Sequence, residues 1–121
     1  MNLREIDRLV AEKVMGWEPV YDDGDIISFI TEYGTLLFFS DDDECEWNPS
    51  TDIRDAWQVV EKMKRSNFSA RHRFVTELQK EVTPKELKDK NQLLDLGWMI
   101  FYLTPKSICL AALKAAGVNI E

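Results

Sequence analysis

The chain has 121 residues, 45% of them hydrophobic and 31% charged, which suits one packed domain and argues against a disordered polymer. Its formal charge of -7 excludes, as an expected partner, duplex nucleic acid held by its phosphate backbone. A small anion answers to the local field of its pocket instead, and stays open.

The first residues, Met1-Asn2-Leu3-Arg4-Glu5-Ile6-Asp7-Arg8, are too charged for the apolar stretch of a signal peptide, and no apolar run approaches the roughly 20 residues that span a bilayer. Cys45 and Cys109 are far apart and form no CxxC spacing, so neither a disulfide framework nor a zinc site is indicated. A cytoplasmic protein with no membrane partner is the expectation.

Leu3, Ile6, Val10 and Val14 recur at helical spacing behind Asn2, a capping residue with Glu5 three positions on, and Gly16 ends this first helix. Residues 26–31 and 35–40 are β-prone runs joined by Glu32-Tyr33-Gly34, where Gly34 supplies the positive φ of a hairpin loop. Leu36-Leu37-Phe38-Phe39 is apolar at consecutive positions, as in a strand covered on both faces. After Ser50-Thr51-Asp52, Ile53, Ala56, Trp57, Val60 and Met63 make the apolar stripe of helix two, leaving Arg54, Asp55, Gln58, Glu61, Lys62 and Arg65 on its polar face.

Residues 68–81 alternate in strand fashion, with Phe68, Ala70, His72, Phe74 and Thr76 on one side and Arg71, Arg73 and Val75 on the other. A loop at Thr83-Pro84-Lys85-Glu86, with room for one helical turn, leads to an aromatic-rich run over residues 93–103 that reads as a central strand. Thr104 caps and Pro105 opens a last helix through Ile108, Ala111, Ala112 and Ala115, closed by Gly117, whose small residues suit close packing on a sheet. The predicted fold class is α+β, a single domain over residues 1–121, with helices packed on an antiparallel sheet in the order α-β-β-α-β-β-α.

Three groups of residues invite chemistry. Asp41-Asp42-Asp43-Glu44-Cys45-Glu46 offers hard oxygen ligands, but lacks the alternate spacing and central glycine of an EF-hand and reads as a solvated loop. His72 is the one histidine, so any thiol-imidazole pair would join it to Cys45 or Cys109; nothing in the sequence brings Cys45 to it, and Cys109 sits among apolar helix residues. Arg71-His72-Arg73, with Lys62, Lys64 and Arg65 nearby, could grip a pyrophosphate through charge-assisted hydrogen bonds; alternatively Arg71 and Arg73 pair with acids across the sheet. Trp17 after a helix end and Tyr102 near a strand end are placed where sites occur, and the helix start at Thr104 and Lys106 offers N–H groups to an anion.

The blocks Leu9-Val10-Ala11-Glu12-Lys13-Val14-Met15-Gly16-Trp17, Ser50-Thr51-Asp52-Ile53 with Ala56-Trp57 and Val59-Val60-Glu61-Lys62-Met63, and Pro105 with Ile108-Cys109-Leu110-Ala111-Ala112-Leu113-Lys114-Ala115 together resemble the phage ABA-sandwich domain of small bacteriophage proteins. Within it the resemblance runs closest to the phage anti-Thoeris sponge proteins of the first described type. It implies a non-enzymatic protein that sequesters glycocyclic ADP-ribose, the signal made by bacterial TIR proteins, and some relatives look able to hold cyclic oligonucleotides.

The residues expected to bind such a ligand are Trp17, Arg54, Arg71, His72, Arg73, Tyr102, Thr104 and Lys106, with no catalytic residue, metal or cofactor. A shallow groove in so small a domain rarely reaches the affinity a sponge needs, so a homodimer or higher homo-oligomer with an interface pocket is expected. Two rivals are an enzyme that degrades the same signal, working through His72 and a carboxylate, and a protein-interaction inhibitor of a host factor.

Overall fold

A computed structural model describes residues 1–38 and 47–119 of the chain. The acidic run, Cys45, Phe39 and Ser40, on which several sequence expectations fall, lie outside the described residues.

Helix α1 spans Leu3–Leu9 and is capped by Asn2, whose side chain accepts from the Glu5 N–H at 2.8 Å. It runs on as a π-turn over Val10–Val14, with Met15 N–H donating to Val10 O at 2.9 Å. Gly16 then takes φ +73°, and the Trp17 N–H reaches back to Ala11 O at 3.0 Å, a Schellman-type closure that throws Trp17 off the helix end. Ile6, Asp7, Val10, Ala11 and Val14 are buried, so this helix is part of the core.

Strands β1 (Glu18–Asp22), β2 (Asp25–Thr31) and β3 (Gly34–Leu37) form an antiparallel meander in that order. The β1–β2 hairpin turns on Asp23 and Gly24, both at positive φ (51° and 84°), the two-residue loop whose twist matches that of the strands. Between Tyr21↔Ile26 and Val20↔Ser28 the register slips, leaving Ile27 as an extra residue in β2. At the β2–β3 turn Thr31 opposes Gly34, and the Thr31 hydroxyl accepts from Tyr33 N–H at 3.1 Å and donates to Gly34 O at 2.9 Å, which lifts Tyr33 out on the hairpin tip.

Helix α2 (Ile53–Lys64) starts on Asp52, whose carboxylate accepts from Arg54 N–H at 2.8 Å. Helix α3 (Phe68–Val82) starts on Asn67 in the same way and is followed by the single turn α4 (Lys85–Lys88), a 3-10 helix at Leu96–Phe101 and helix α5 (Pro105–Ala115). The fold class is α+β with one antiparallel sheet, as expected. Two expected strands are not strands: residues 68–81 are helical, and residues 93–103 contain the 3-10 turn, while the strand at Glu18–Asp22 was not foreseen. The order is therefore α-β-β-β-α-α-α-α with the 3-10 segment before the last helix.

The physical reason is visible in the burial. Phe74, Leu78 and Val82 are the buried residues of α3 and lie at i, i+4, i+8, a helical period that overrides the apparent alternation. Helix α5 is the centre of the core: Ile108, Cys109, Ala111, Ala112 and Leu113 are fully buried, and its small residues let it pack chiefly between α2 and α3 rather than on the sheet. No helix among the described residues is long and apolar enough to cross a membrane.

Candidate functional site

The loop that enters α2 is fixed from three sides, and this fixes the wall of the site. Asp7, 1% exposed, accepts from Ser50 N–H at 2.8 Å and from Arg4 Nη1 at 2.6 Å. Asp55 accepts from Asn48 N–H at 2.8 Å, and the buried Trp47 donates its indole N–H to Gln58 Oε1 at 2.8 Å. Burial pushes the Asp7 carboxyl above its ordinary range even though Ser50 and Arg4 pull the other way, and burial likewise raises Asp55 against the Asn48 N–H.

Above this loop lies a groove of about 480 Å³, within the range that holds small ligands. Three elements build it: the end of the first helix supplies Met15 and Trp17, the β2–β3 tip supplies Glu32, Tyr33 and Leu36, and the outer face of α2 supplies Arg54, Trp57, Gln58, Glu61 and Arg65. Trp17 is half-buried and rests at 4.7 Å from the Trp47 ring, tilted by 58°, so its plane is held by the core. Trp57 and Tyr33 are 50% and 86% exposed, two aromatic faces open to a planar guest.

The charges of the groove are divided between the cations Arg54 and Arg65 and the acids Glu32 and Glu61. Arg65 donates through Nε to Glu61 O at 3.4 Å, while among the described residues no ion pair or side-chain hydrogen bond engages the Arg54 guanidinium. A second depression of about 400 Å³ near Tyr21 and Ile26 also holds two arginines. Its cations are already engaged: Arg8 pairs with Glu12 at 3.1 Å, and Arg4 bonds Asp7 and Asn48 beneath the Phe38 ring. The first groove is therefore the better equipped for an anionic aromatic guest.

Of the residues expected at a site, the structure brings Trp17 and Arg54 into the groove. Arg71 and His72 line a shallow depression on α3 with Phe68 and Val75, where the His72 ring stacks on Phe68 at 6.3 Å. Arg73 is exposed on the same helix, so Arg71, His72 and Arg73 are consecutive helical residues and not a strand cluster. Tyr102, Thr104 and Lys106 sit where the 3-10 segment meets α5; Thr104 is spent on a capping box with Ser107.

Trp57, Tyr33, Gln58 and Arg65 also line the groove and are not among the residues expected from the sequence. Trp57 was placed in the apolar stripe of helix two, but Ala56, Val59 and Met63 are what α2 buries, a stripe turned toward Val59 that leaves Trp57 outside. Cys109 is fully buried and burial raises its thiol far above the ordinary range, with the Asp7 charge adding to the effect, so it is no thiolate nucleophile for His72. Among the described residues no cluster of three or more His, Cys, Asp or Glu is arranged to hold a metal.

A small α+β domain with an aromatic-lined, arginine-bearing groove is the class these features define. The family model of the Phage ABA sandwich domain matches residues 8–113, and the chain belongs to that family as a phage protein. No curated protein and no solved structure gives a significant match.

Proposed function

We propose that this protein is a phage anti-defence protein of the host cytoplasm that binds and holds a cyclic ADP-ribose isomer, glycocyclic ADP-ribose, and so withholds the TIR-made signal from the Thoeris effector without cleaving it. The observation that carries the reading is the Arg54 guanidinium, which makes no ion pair or side-chain hydrogen bond among the described residues, in one groove with the open rings of Trp57 and Tyr33. Each part of such a ligand has a match there. Adenine stacks on an indole or phenol face for about 1–3 kcal/mol. The pyrophosphate takes charge-assisted hydrogen bonds from Arg54 and Arg65, and the ribose hydroxyls find Gln58, Glu32 and Glu61.

Family membership supports the reading from a separate direction, through the resemblance to the anti-Thoeris sponges. Cyclic oligonucleotides share the base and phosphate chemistry and are the next ligands to try. Calorimetry with glycocyclic ADP-ribose, followed by heating the complex and chromatography of the released ligand, tests the proposal. Tight binding with intact ligand supports it; cleaved nucleotide would put an enzyme in its place.

A further inference from the structure

A groove for an anionic guest has reason to lack acids, yet this one carries two. Glu61 and Glu32 line it beside Arg54 and Arg65, and among the described residues neither carboxylate is engaged in an ion pair. Arg65, one turn on from Glu61, does not neutralise it: its Nε donates to the Glu61 carbonyl oxygen at 3.4 Å instead. An open carboxylate in such a place favours an anionic ligand only where the ligand brings hydrogen-bond donors to it.

Helix α2 sets Glu61 beside a fixed donor. Arg54, Trp57, Gln58, Glu61 and Arg65 follow at i, i+3, i+4, i+7 and i+11, one stripe along the groove. Gln58 and Glu61 are therefore surface neighbours, with Cβ atoms about 5–6 Å apart. The Gln58 amide is oriented from beneath, because the buried Trp47 indole N–H donates to its Oε1 at 2.8 Å and leaves the NH2 for the groove. A donor of set direction thus stands next to a group that can only accept.

We infer that Gln58 and Glu61 together read a free vicinal diol of a ribose and confine the groove to nucleotides that keep one. The inference rests on the ligand reading above and narrows it. One hydroxyl of the diol donates to the Glu61 carboxylate, and its neighbour accepts from Gln58 Nε2. A phosphate in place of either hydroxyl removes the donor and sets a second negative charge against Glu61. Dinucleotide-binding folds follow the same logic, with an acid on the ribose hydroxyls where the sugar is free and an arginine where it is phosphorylated. Arg54, about 10 Å along the axis from Glu61, gives the pyrophosphate a cation well away from that charge. Glycosidic closure of glycocyclic ADP-ribose uses one hydroxyl of the adenosine ribose, so its vicinal diol is the one on the second ribose. The phosphodiesters of cyclic di-AMP leave no vicinal diol.

Calorimetry with three ligands is the test. The first is glycocyclic ADP-ribose, the second is the same molecule after periodate cleavage of its diol and borohydride reduction, which keeps base, pyrophosphate and charge, and the third is cyclic di-AMP. Wild type is expected to bind the first at least about thirtyfold more tightly than either of the others, since one hydrogen bond to a charged group contributes about tenfold or more. Glu61→Ala should cut the ratio of intact to cleaved ligand to about threefold, with an unchanged melting temperature. Gln58→Glu combined with Glu61→Gln exchanges donor and acceptor, keeps an acceptor for Trp47, and should bring the ratio back to at least about tenfold. Intact and cleaved ligand bound alike, wild-type selectivity in Glu61→Ala, an exchanged pair no more selective than Glu61→Ala, or cyclic di-AMP bound as tightly as the intact ligand would each overturn the inference and leave the binding of glycocyclic ADP-ribose standing. Saturation by cyclic di-AMP alone, or by none of the three, would overturn both.

Discussion

The indole N–H of Trp47 donates to Gln58 Oε1 at 2.8 Å, joining a core residue to the wall of the groove. An indole nitrogen only donates, so the Gln58 atom it meets is the oxygen, and the amide NH2 is the part left for a guest. Gln58→Ala removes the acceptor from a buried donor and is expected to cost about 1–3 kcal/mol in urea unfolding. A stability equal to wild type would show that Trp47 does not depend on this bond.

Trp57→Ala and Arg54→Ala remove exposed groove side chains and should each weaken glycocyclic ADP-ribose binding at least tenfold, about 1.4 kcal/mol, with the melting temperature within a few degrees of wild type. Calorimetry beside thermal melts reads both. Arg71→Ala and Arg73→Ala, on α3 and outside the groove, should bind as wild type does. Loss of affinity in the α3 variants with none at Arg54 would move the site to the depression beside Phe68.

Asp7 gives a pH signature opposite to that of a surface carboxylate. Burial raises its folded pKa above the ordinary 3.8, so as pH rises the unfolded chain releases this proton first. The stability of wild type relative to Asp7→Asn is therefore expected to fall as pH climbs through 3.8, and to level off once the folded carboxyl has also ionised. Denaturant midpoints of the two proteins across that window check it. A difference that grows with pH would mean that Ser50 and Arg4 outweigh burial.

The capping box at α5 carries a simpler expectation. Thr104 Oγ1 accepts from Ser107 N–H at 3.0 Å, and Ser107 Oγ accepts from Thr104 N–H at 3.0 Å, at the start of the helix that centres the core. Thr104→Ala should destabilise the protein by about 1 kcal/mol, read from the denaturant midpoint at constant slope. No change would mean that Pro105 and burial set the helix start by themselves.

The pieces that sequence made legible are those with local, directional signals. Asn2, Asp52, Thr104, Gly16 and Gly34 each do what their chemistry predicts, and so the first helix, the β2–β3 hairpin, α2 and α5 lie close to where they were expected. Asp23-Gly24 was an equally direct hairpin signal and went unread, because Pro19 and the surrounding acids make β1 look like a loop; as an edge strand it tolerates both. Helix α3 reads as a strand because residues 68–77 alternate, but of the side that carries Phe68, His72 and Phe74 only Phe74 is buried, and it faces the core with Leu78 and Val82 at helical spacing. The aromatic run before α5 has strand composition and no strand partner, a fact of tertiary structure that propensity does not contain.

Two residues of the groove, Trp17 and Arg54, were legible for the same reason. Trp17 stands out because it follows a helix-ending glycine, and Arg54 because it sits on the polar face of α2. Trp57 is hidden by its own hydrophobicity, since a rotation of about 60° in the face that α2 buries, less than one residue's step, is enough to leave it outside the core.

The most direct test of the central claim is a titration of this protein with glycocyclic ADP-ribose in which the bound ligand is then released by heat and weighed by mass spectrometry. The account predicts saturable binding with a dissociation constant in the nanomolar range, roughly -12 kcal/mol, lost in the Arg54→Ala and Trp57→Ala double variant, and ligand recovered at its original mass. No binding at millimolar ligand, or recovery of a hydrolysed nucleotide, would contradict it.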